Sequence, residues 1–195
     1  MKLILASSSP RRAEVLRDAG ISFELIEPQI DETRRPGESA HHMVARLAEA
    51  KARTAATQLH NDREDCILIG ADTAVELDGE IFGKPRDAAN ACEMLTALSG
   101  QTHRVLTGIF LLRLPDRSIR AAVESTAVTI SSLDRTEIER YVATGEPLDK
   151  AGAYAIQGIA GRYIPEIQGC YFNVVGLPLA RLYALLRELG WPTDA

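Results

Sequence analysis

The N-terminal segment alternates between strand and helix, and this alternation restricts the folds that the chain can adopt. Residues 2–6, KLILA, form an apolar run of strand length. Ser9 followed by Pro10 is typical of a helix start, with a serine N-cap and proline at the first helical position. Residues 22–28, SFELIEP, predict a second strand, and a polar loop leads from it to a helix over about residues 39–58. This β-α-β-α beginning indicates an α/β protein.

The rest of the chain predicts antiparallel strands and further helices around the same sheet. Residues 66–77, CILIGADTAVEL, form a buried strand, and the following Asp-Gly pair predicts a hairpin return. HRVLTGIFLL and IRAAVESTAVTI predict two more strands, and helices are predicted after Asp87, Asp134 and Pro178. No repeat, low-complexity linker or break in composition divides the chain. We therefore expect one domain over residues 1–195, with a mixed twisted sheet flanked by helices.

The overall charge excludes some classes of partner. The 195 residues carry a net charge of −5, whereas nucleic acids and membrane surfaces are bound by an excess of lysine and arginine. We therefore expect neither a nucleic-acid nor a membrane partner, and any anion must be bound by a local cluster of cations. Three widely spaced cysteines, no signal-peptide core and no apolar run of membrane-spanning length predict a cytoplasmic protein.

Two arginines follow the proline of the first helix, and this arrangement opposes the helix dipole. The dipole favours acidic side chains at a helix N-terminus, so Arg11 and Arg12 indicate that a negative group lies among them. The serines and backbone N–H groups of the preceding turn, SSSPRR, suit a phosphate in the same way. The alternative interpretation is a surface helix start with two solvated arginines.

Two charged side chains fall where the apolar pattern predicts burial. Lys51 lies on the apolar stripe of the second helix, so its stem either snorkels to the edge of the core or directs the ammonium towards a phosphate. Asp72 interrupts the apolar run CILIGADTAV, where an unpaired carboxylate is costly. Asp72 therefore needs a cation, a metal ion or a role in chemistry, although an aspartate at a strand end can also cap a helix.

Further charged residues lie in predicted loops. Glu32 follows the second strand and Lys84 lies in the sequence GKP, and either could be an ordinary loop residue. Residues 145–158, GEPLDKAGAYAIQG, have the dense turn chemistry of a binding loop. Cations combined with a few carboxylates suit polyphosphate chemistry with Mg²⁺ or Mn²⁺. The sequence has no Walker loop, GxSxG, HExxH or GxGxxG motif. It therefore lacks the motifs that identify the common kinases, hydrolases and zinc proteases.

Together these segments resemble the Maf family of nucleoside triphosphate pyrophosphatases. The resemblance extends over residues 3–189 and rests on LASSSPRR, DET, RLAEAKA, GADT, GKP, SGQTHRVLTG, YVATGEPLDKAGAYAIQG and VVGLPL, in family order. It implies a mixed-sheet α/β fold with two lobes around a central cleft, similar to the inosine triphosphate pyrophosphatases. It also implies a homodimer that hydrolyses a nucleoside triphosphate to the monophosphate and pyrophosphate.

The resemblance implies roles for residues at matching positions. Asp72 is implied to accept the proton of the attacking water, and Glu32 with Asp72 to bind the divalent metal. Lys51 and Lys84 are implied to contact the phosphates. From the inward face of Lys51 and the glycine and proline on either side of Lys84, we expect both lysines to stabilise phosphate charge during cleavage. The other implied phosphate contacts are Ser7, Arg12 and, on weaker grounds, Lys150.

At three positions the chain resembles one of two branches of this family. The branch that cleaves dTTP and UTP has arginine, threonine and glutamine where this chain has Arg11, Thr73 and Gln157. The branch that acts on 7-methyl-GTP has tryptophan, glutamine and glutamate there, so cleavage of dTTP and UTP is the expected activity. The alternatives are hydrolysis of 7-methyl-GTP or of another modified nucleotide, or a nucleotide-binding regulator of cell division without catalytic activity.

Overall fold

A computed structural model describes residues 1–59 and 65–192, and it confirms the expected mixed α/β architecture. The seven strands are β1 (Lys2–Ala6), β2 (Glu24–Ile26), β3 (Cys66–Leu77), β4 (Glu80–Phe82), β5 (Thr102–Leu114), β6 (Ile119–Thr129) and β7 (Glu166–Gln168). They form one sheet in the order β2-β1-β3-β5-β6-β7, with β4 paired to β3. Strand β1 is parallel to β2 and β3, and the other pairs are antiparallel. The expected domain also includes residues 60–64 and 193–195, which lie outside the described residues.

Of the six α-helices in the described residues, five begin close to their predicted starts, and three of these five have side-chain caps. The six helices are α1 (Pro10–Asp18), α2 (Ala40–Thr57), α3 (Ala88–Leu98), α4 (Arg135–Ala143), α5 (Tyr171–Val175) and α6 (Leu179–Glu188). Ser39 and Asp87 accept backbone hydrogen bonds at the N-termini of α2 and α3, and Asp134 with Glu137 forms a capping box on α4. Strand β7 and helix α5 were not predicted. Within the described residues, no helix is long and apolar enough to span a membrane.

Two glycines allow α2 to lie directly on the sheet. A Cβ atom at Gly70 of β3 would collide with the backbone of α2 at Ala48, and one at Gly108 of β5 would collide with Val44. Because both positions lack a side chain, the helix backbone approaches the two central strands closely. This approach places Lys51, one turn further along α2, beside the strand residues that follow Gly70.

The hydrophobic core lies on both faces of the sheet and continues past the end of the parallel strands. One cluster joins the sheet to α1 and α6 through residues such as Leu16, Leu111 and Leu186. Small residues of α2 pack on the opposite face. A third cluster joins the distal ends of β3, β5 and β6 to α3 and α4 and contains Val75 and Tyr154. The expected site can therefore lie between the core clusters beside the parallel strands and the cluster at the distal ends of β3, β5 and β6.

A gap in strand pairing fixes the position of the cleft. Strand β1 pairs with β3 as far as Ala6 and Gly70, and β4 pairs with the same edge of β3 from Val75 onwards. Between these pairings, no described strand bonds to residues 71–74 on that edge. The chain leaves the carboxyl end of β1 through the serine-rich turn at the same point. Ligands of open α/β sheets bind at such strand ends.

Candidate active site

The cleft at this gap has the size of a small-molecule site and a positive charge of its own. Its volume is about 560 Å³, which is within the usual range for ligand pockets. Five cationic and three acidic side chains line it, an excess of two positive charges in a chain whose net charge is −5. The charged residues are Arg11, Arg12, Lys51, Lys84, Lys150, Glu32, Asp72 and Asp149.

Nine of the ten predicted site residues line this single cleft. Besides five predicted cations and two predicted acids, the lining contains Thr73 and Gln157. Ser7 does not line the cleft, because it is buried at 2% exposure below the turn. Its hydroxyl accepts hydrogen bonds from the Ser9 backbone N–H at 3.1 Å and from Arg12 Nη1 at 3.1 Å. Ser8 and Ser9 line the cleft instead, so direct contact between Ser7 and a phosphate stays a prediction.

Arg12 is a buried cation that neutral oxygens hold in place. Its side chain is 7% exposed, and it donates to the Gly176 carbonyl at 2.8 Å, Ser7 Oγ at 3.1 Å and Thr73 Oγ1 at 3.0 Å. Among the described residues, no carboxylate forms an ion pair with it. Burial lowers the pKa of Arg12, an effect that the nearby charge of Asp72 opposes, but an arginine keeps its proton in a protein. A buried charge without a counterion favours the binding of an anion.

Lys51 bridges the two acids that were predicted as metal ligands. Its ammonium lies 2.7 Å from Asp72 Oδ1 and 2.8 Å from Glu32 Oε1. Lys51 and Asp72 are 8% and 7% exposed, whereas the Glu32 side chain is 57% exposed. The prediction that Lys51 points inwards is therefore confirmed, and the buried carboxylate of Asp72 has the cation that its position requires.

The charge around Glu32 keeps that carboxylate ionised. Partial burial by itself would raise its pKa, but the hydrogen bond and charge of Lys51, with the charges of Lys84 and Arg12, lower it overall. Within the described residues, no group of three or more histidine, cysteine, aspartate or glutamate side chains is arranged to hold a metal ion. Glu32 and Asp72 thus form a pair of carboxylates, brought together by one ammonium, at the edge of a cationic cleft.

Arg11 and Asp149 connect the two walls of the cleft. Arg11 lies in the first turn of α1, and its Nη1 is 3.5 Å from Asp149 Oδ2 in the 3₁₀ turn Glu146–Asp149. Lys150 donates to Asp149 Oδ1 at 2.6 Å and to the Glu146 carbonyl at 2.6 Å. Burial tends to raise the pKa of Asp149, but Lys150 and Arg11 lower it overall. Sequence reasoning did not single out Asp149, although it lies within the predicted binding loop.

The predicted binding loop is irregular, as expected, and the half-buried carboxylate of Glu146 holds it together. Glu146 accepts hydrogen bonds from Tyr141 Oη at 2.8 Å and from the Ile159 backbone N–H at 3.0 Å. A Cβ atom at Gly158 would overlap this carboxylate, so a larger residue there would displace the end of the Glu146 side chain. Glu146 therefore fixes the backbone on both sides of the segment that carries Lys150 and Gln157. The sequence contains no pattern that predicts this contact between Glu146 and Gly158.

Comparison with known proteins shows where the chain belongs. Residues 2–189 match the family model described as Maf-like protein. The chain belongs to the Maf family. This match confirms the resemblance that the motifs indicated, over almost all of the sequence.

Several relatives of this Maf-family chain have the same name. A protein of Pelotomaculum thermopropionicum named dTTP/UTP pyrophosphatase is 46% identical over 190 residues, covering 97% of each chain. Proteins of the same name from an Anaeromyxobacter species and from Escherichia coli O157:H7 are each 50% identical. The alignments cover 98% and 96% of this chain and 91% and 93% of those relatives.

A solved structure gives a weaker similarity. A nucleoside-triphosphatase or dITP/XTP pyrophosphatase of Mycobacterium abscessus is 18% identical, with a TM-score of 0.41, over 97% of this chain and 98% of that one. This similarity is too low to support a conclusion about fold or function.

Proposed function

We propose that this Maf-family protein is a pyrophosphatase that hydrolyses dTTP and UTP to the nucleoside monophosphate and pyrophosphate. The buried guanidinium of Arg12, without a carboxylate partner among the described residues, carries the proposal, because it favours a strongly anionic ligand. The choice of dTTP and UTP is supported by the relatives of that name, which are 46% to 50% identical over nearly the whole chain.

The cations of the cleft suit a triphosphate that is cleaved next to the α-phosphorus. Water forms a bond to the α-phosphorus while the bond from that atom to the bridging oxygen of pyrophosphate breaks. Pyrophosphate leaves with the bridging oxygen, and its negative charge is stabilised by cations such as Arg12 and Lys84, which line the cleft. Cleavage at this position gives the monophosphate in one step.

Asp72 is the proposed acceptor for the proton of the attacking water. Lys51 donates a hydrogen bond to its Oδ1 at 2.7 Å, which holds the carboxylate in place where Asp72 lines the cleft. As the new bond forms, the proton moves to Asp72 and later returns to solvent. The ammonium of Lys51 positions Asp72 through their ion pair and also adds positive charge next to the phosphates.

Glu32 and Asp72 fit a divalent cation shared with the substrate. Magnesium ions at nucleotide sites are usually bound by one or two protein carboxylates, with phosphate oxygens and water completing the shell. The two carboxylates are already brought together by Lys51, and the lowered pKa of Glu32 keeps it charged at neutral pH. A bound Mg²⁺ or Mn²⁺ would neutralise phosphate charge there. A homodimer and a cytoplasmic location stay predictions.

A hydrolysis screen over a nucleotide panel tests the proposal. The purified protein is incubated with Mg²⁺ or Mn²⁺ and with dTTP, UTP, CTP, ATP, GTP or 7-methyl-GTP, and phosphate is measured after addition of inorganic pyrophosphatase. We expect product from dTTP and UTP only when the coupling enzyme is present. Equal cleavage of ATP or GTP would refute the proposed selectivity, and tight binding without product would favour the regulator.

A further inference from the structure

A chain of hydrogen bonds runs from the cleft into the sheet through two threonine hydroxyls. Arg12 Nη2 donates to Thr73 Oγ1 at 3.0 Å, and Thr73 Oγ1 lies 3.0 Å from Thr107 Oγ1. Thr107 Oγ1 in turn donates to the Asn173 carbonyl at 3.1 Å. Thr73 and Thr107 are directly paired across β3 and β5, and Thr107 is fully buried at 0% exposure.

The two ends of this chain favour one direction for its hydrogen bonds. A guanidinium can only donate hydrogen bonds and a backbone carbonyl can only accept them, whereas each hydroxyl has one proton. A Thr107 hydroxyl that donates to Asn173 has no second proton, so in this arrangement it accepts the proton of Thr73. The other acceptor near Thr73, the Gly176 carbonyl, is 3.5 Å away and already accepts from Arg12 Nε at 2.8 Å. The proton of Thr73 is therefore held inside the protein and does not point into the cleft.

We propose that Thr107 is a positioning residue for base selection, because it keeps the hydroxyl of Thr73 as a hydrogen-bond acceptor towards the cleft. This inference rests on the proposed function. Thr73 lines the cleft and its oxygen retains an unused lone pair. Phosphate oxygens are themselves acceptors, so they cannot form a hydrogen bond with a Thr73 hydroxyl that only accepts. It matches the N3–H group of uracil or thymine, and it is mismatched with N3 of cytosine, which is an acceptor.

Thr107→Val removes the hydroxyl while keeping the shape of the side chain. The Asn173 carbonyl keeps the Gly176 backbone N–H at 3.0 Å as a partner, so the substitution leaves no buried carbonyl without a donor. In this variant the hydroxyl of Thr73 is free to rotate and to donate to cytosine N3. Thr107→Ser is the matched control, because it keeps the hydroxyl and loses the methyl group.

The experiment measures binding and turnover separately. Dissociation constants for the non-hydrolysable α,β-imido analogues of UTP and CTP are measured by calorimetry, and kcat/KM is measured with UTP and CTP themselves. We expect the UTP-over-CTP preference to fall by about 3- to 10-fold in Thr107→Val, the value of one hydrogen bond, and to return to the wild-type ratio in Thr107→Ser. A melting temperature for each variant accounts for any change in stability.

The results separate this inference from the proposed function. An unchanged UTP-over-CTP binding ratio in a folded Thr107→Val variant would overturn the role of Thr107, even if UTP is hydrolysed normally. Selective binding of the UTP analogue without hydrolysis of UTP would refute the proposed function, while the ratio in the variant would still decide the role of Thr107. A wild-type protein that binds both analogues equally, or binds neither, would overturn the inference.

Discussion

Mild acidification should destabilise the protein through one buried histidine, His103. This residue lies on β5 at 1% exposure, with Nε2 hydrogen-bonded to Tyr154 Oη at 2.7 Å and Nδ1 without a hydrogen-bond partner among the described residues. Burial lowers the pKa of His103 from 6.5 to about 4, because removal from water disfavours the charged imidazolium. His103 is therefore neutral at physiological pH in the folded protein.

The sign and size of the effect follow from the two pKa values. Between about pH 6.5 and pH 4 the unfolded chain binds a proton at His103 and the folded chain does not, so the stability present at neutral pH is lost as the pH falls through this range. Lowering the pH from about 7.5 to about 5 should reduce the free energy of unfolding by about 2 kcal/mol through His103 alone.

Urea unfolding at a series of pH values measures this contribution. The wild-type protein is compared with His103→Gln, whose side chain stays neutral, and with His41→Gln, which removes an exposed histidine of α2 as a control. The difference in pH dependence between the wild type and His103→Gln isolates His103 from the carboxylates. If the two proteins lose the same free energy of unfolding over this range, the burial argument is wrong.

Three further predictions concern the cleft. Asp72→Asn should lower turnover by about 10²- to 10⁴-fold, as expected for loss of a general base, while Lys51 keeps Glu32 as a partner and the protein stays folded; near-normal kcat would exclude the assignment. Gly158→Ala should lower kcat/KM and cost about 0.5 to 1.5 kcal/mol of stability for each hydrogen bond lost, because the new methyl group displaces the Glu146 carboxylate from Tyr141 Oη and the Ile159 backbone N–H; it should add little to Glu146→Ala, and additive effects in the double variant would argue against the clash. EDTA should abolish hydrolysis and added Mg²⁺ or Mn²⁺ should restore it, whereas full activity in EDTA would disprove the metal requirement.

Local sequence signals were sufficient for most of the secondary structure. Asp87 and Asp134 cap the helices that they were predicted to cap, since a cap hydrogen bond joins residues only a few positions apart. Ser9 stands at the predicted start of α1, but its side chain makes no cap hydrogen bond. The Asp-Gly turn between β3 and β4 is equally local. The inward position of Lys51 followed from helical periodicity in the same way. Strand β7 and helix α5 were not found, because segments of three and five residues are too short to show a period.

The arrangement of the site depended on contacts between distant parts of the chain. The sequence placed cations and acids in separate segments, and the family motifs indicated that they belong to one site. That Lys51 joins Glu32 to Asp72, and that Arg12 bonds to Gly176, follows from the order of the strands and the close approach of α2 to the sheet. Such pairs are separated by up to 164 residues, so no local hydrogen bond or periodicity specifies them. Packing of the sheet between its helices brings these groups together, and it also sets the direction of the hydrogen bonds through Thr73 and Thr107.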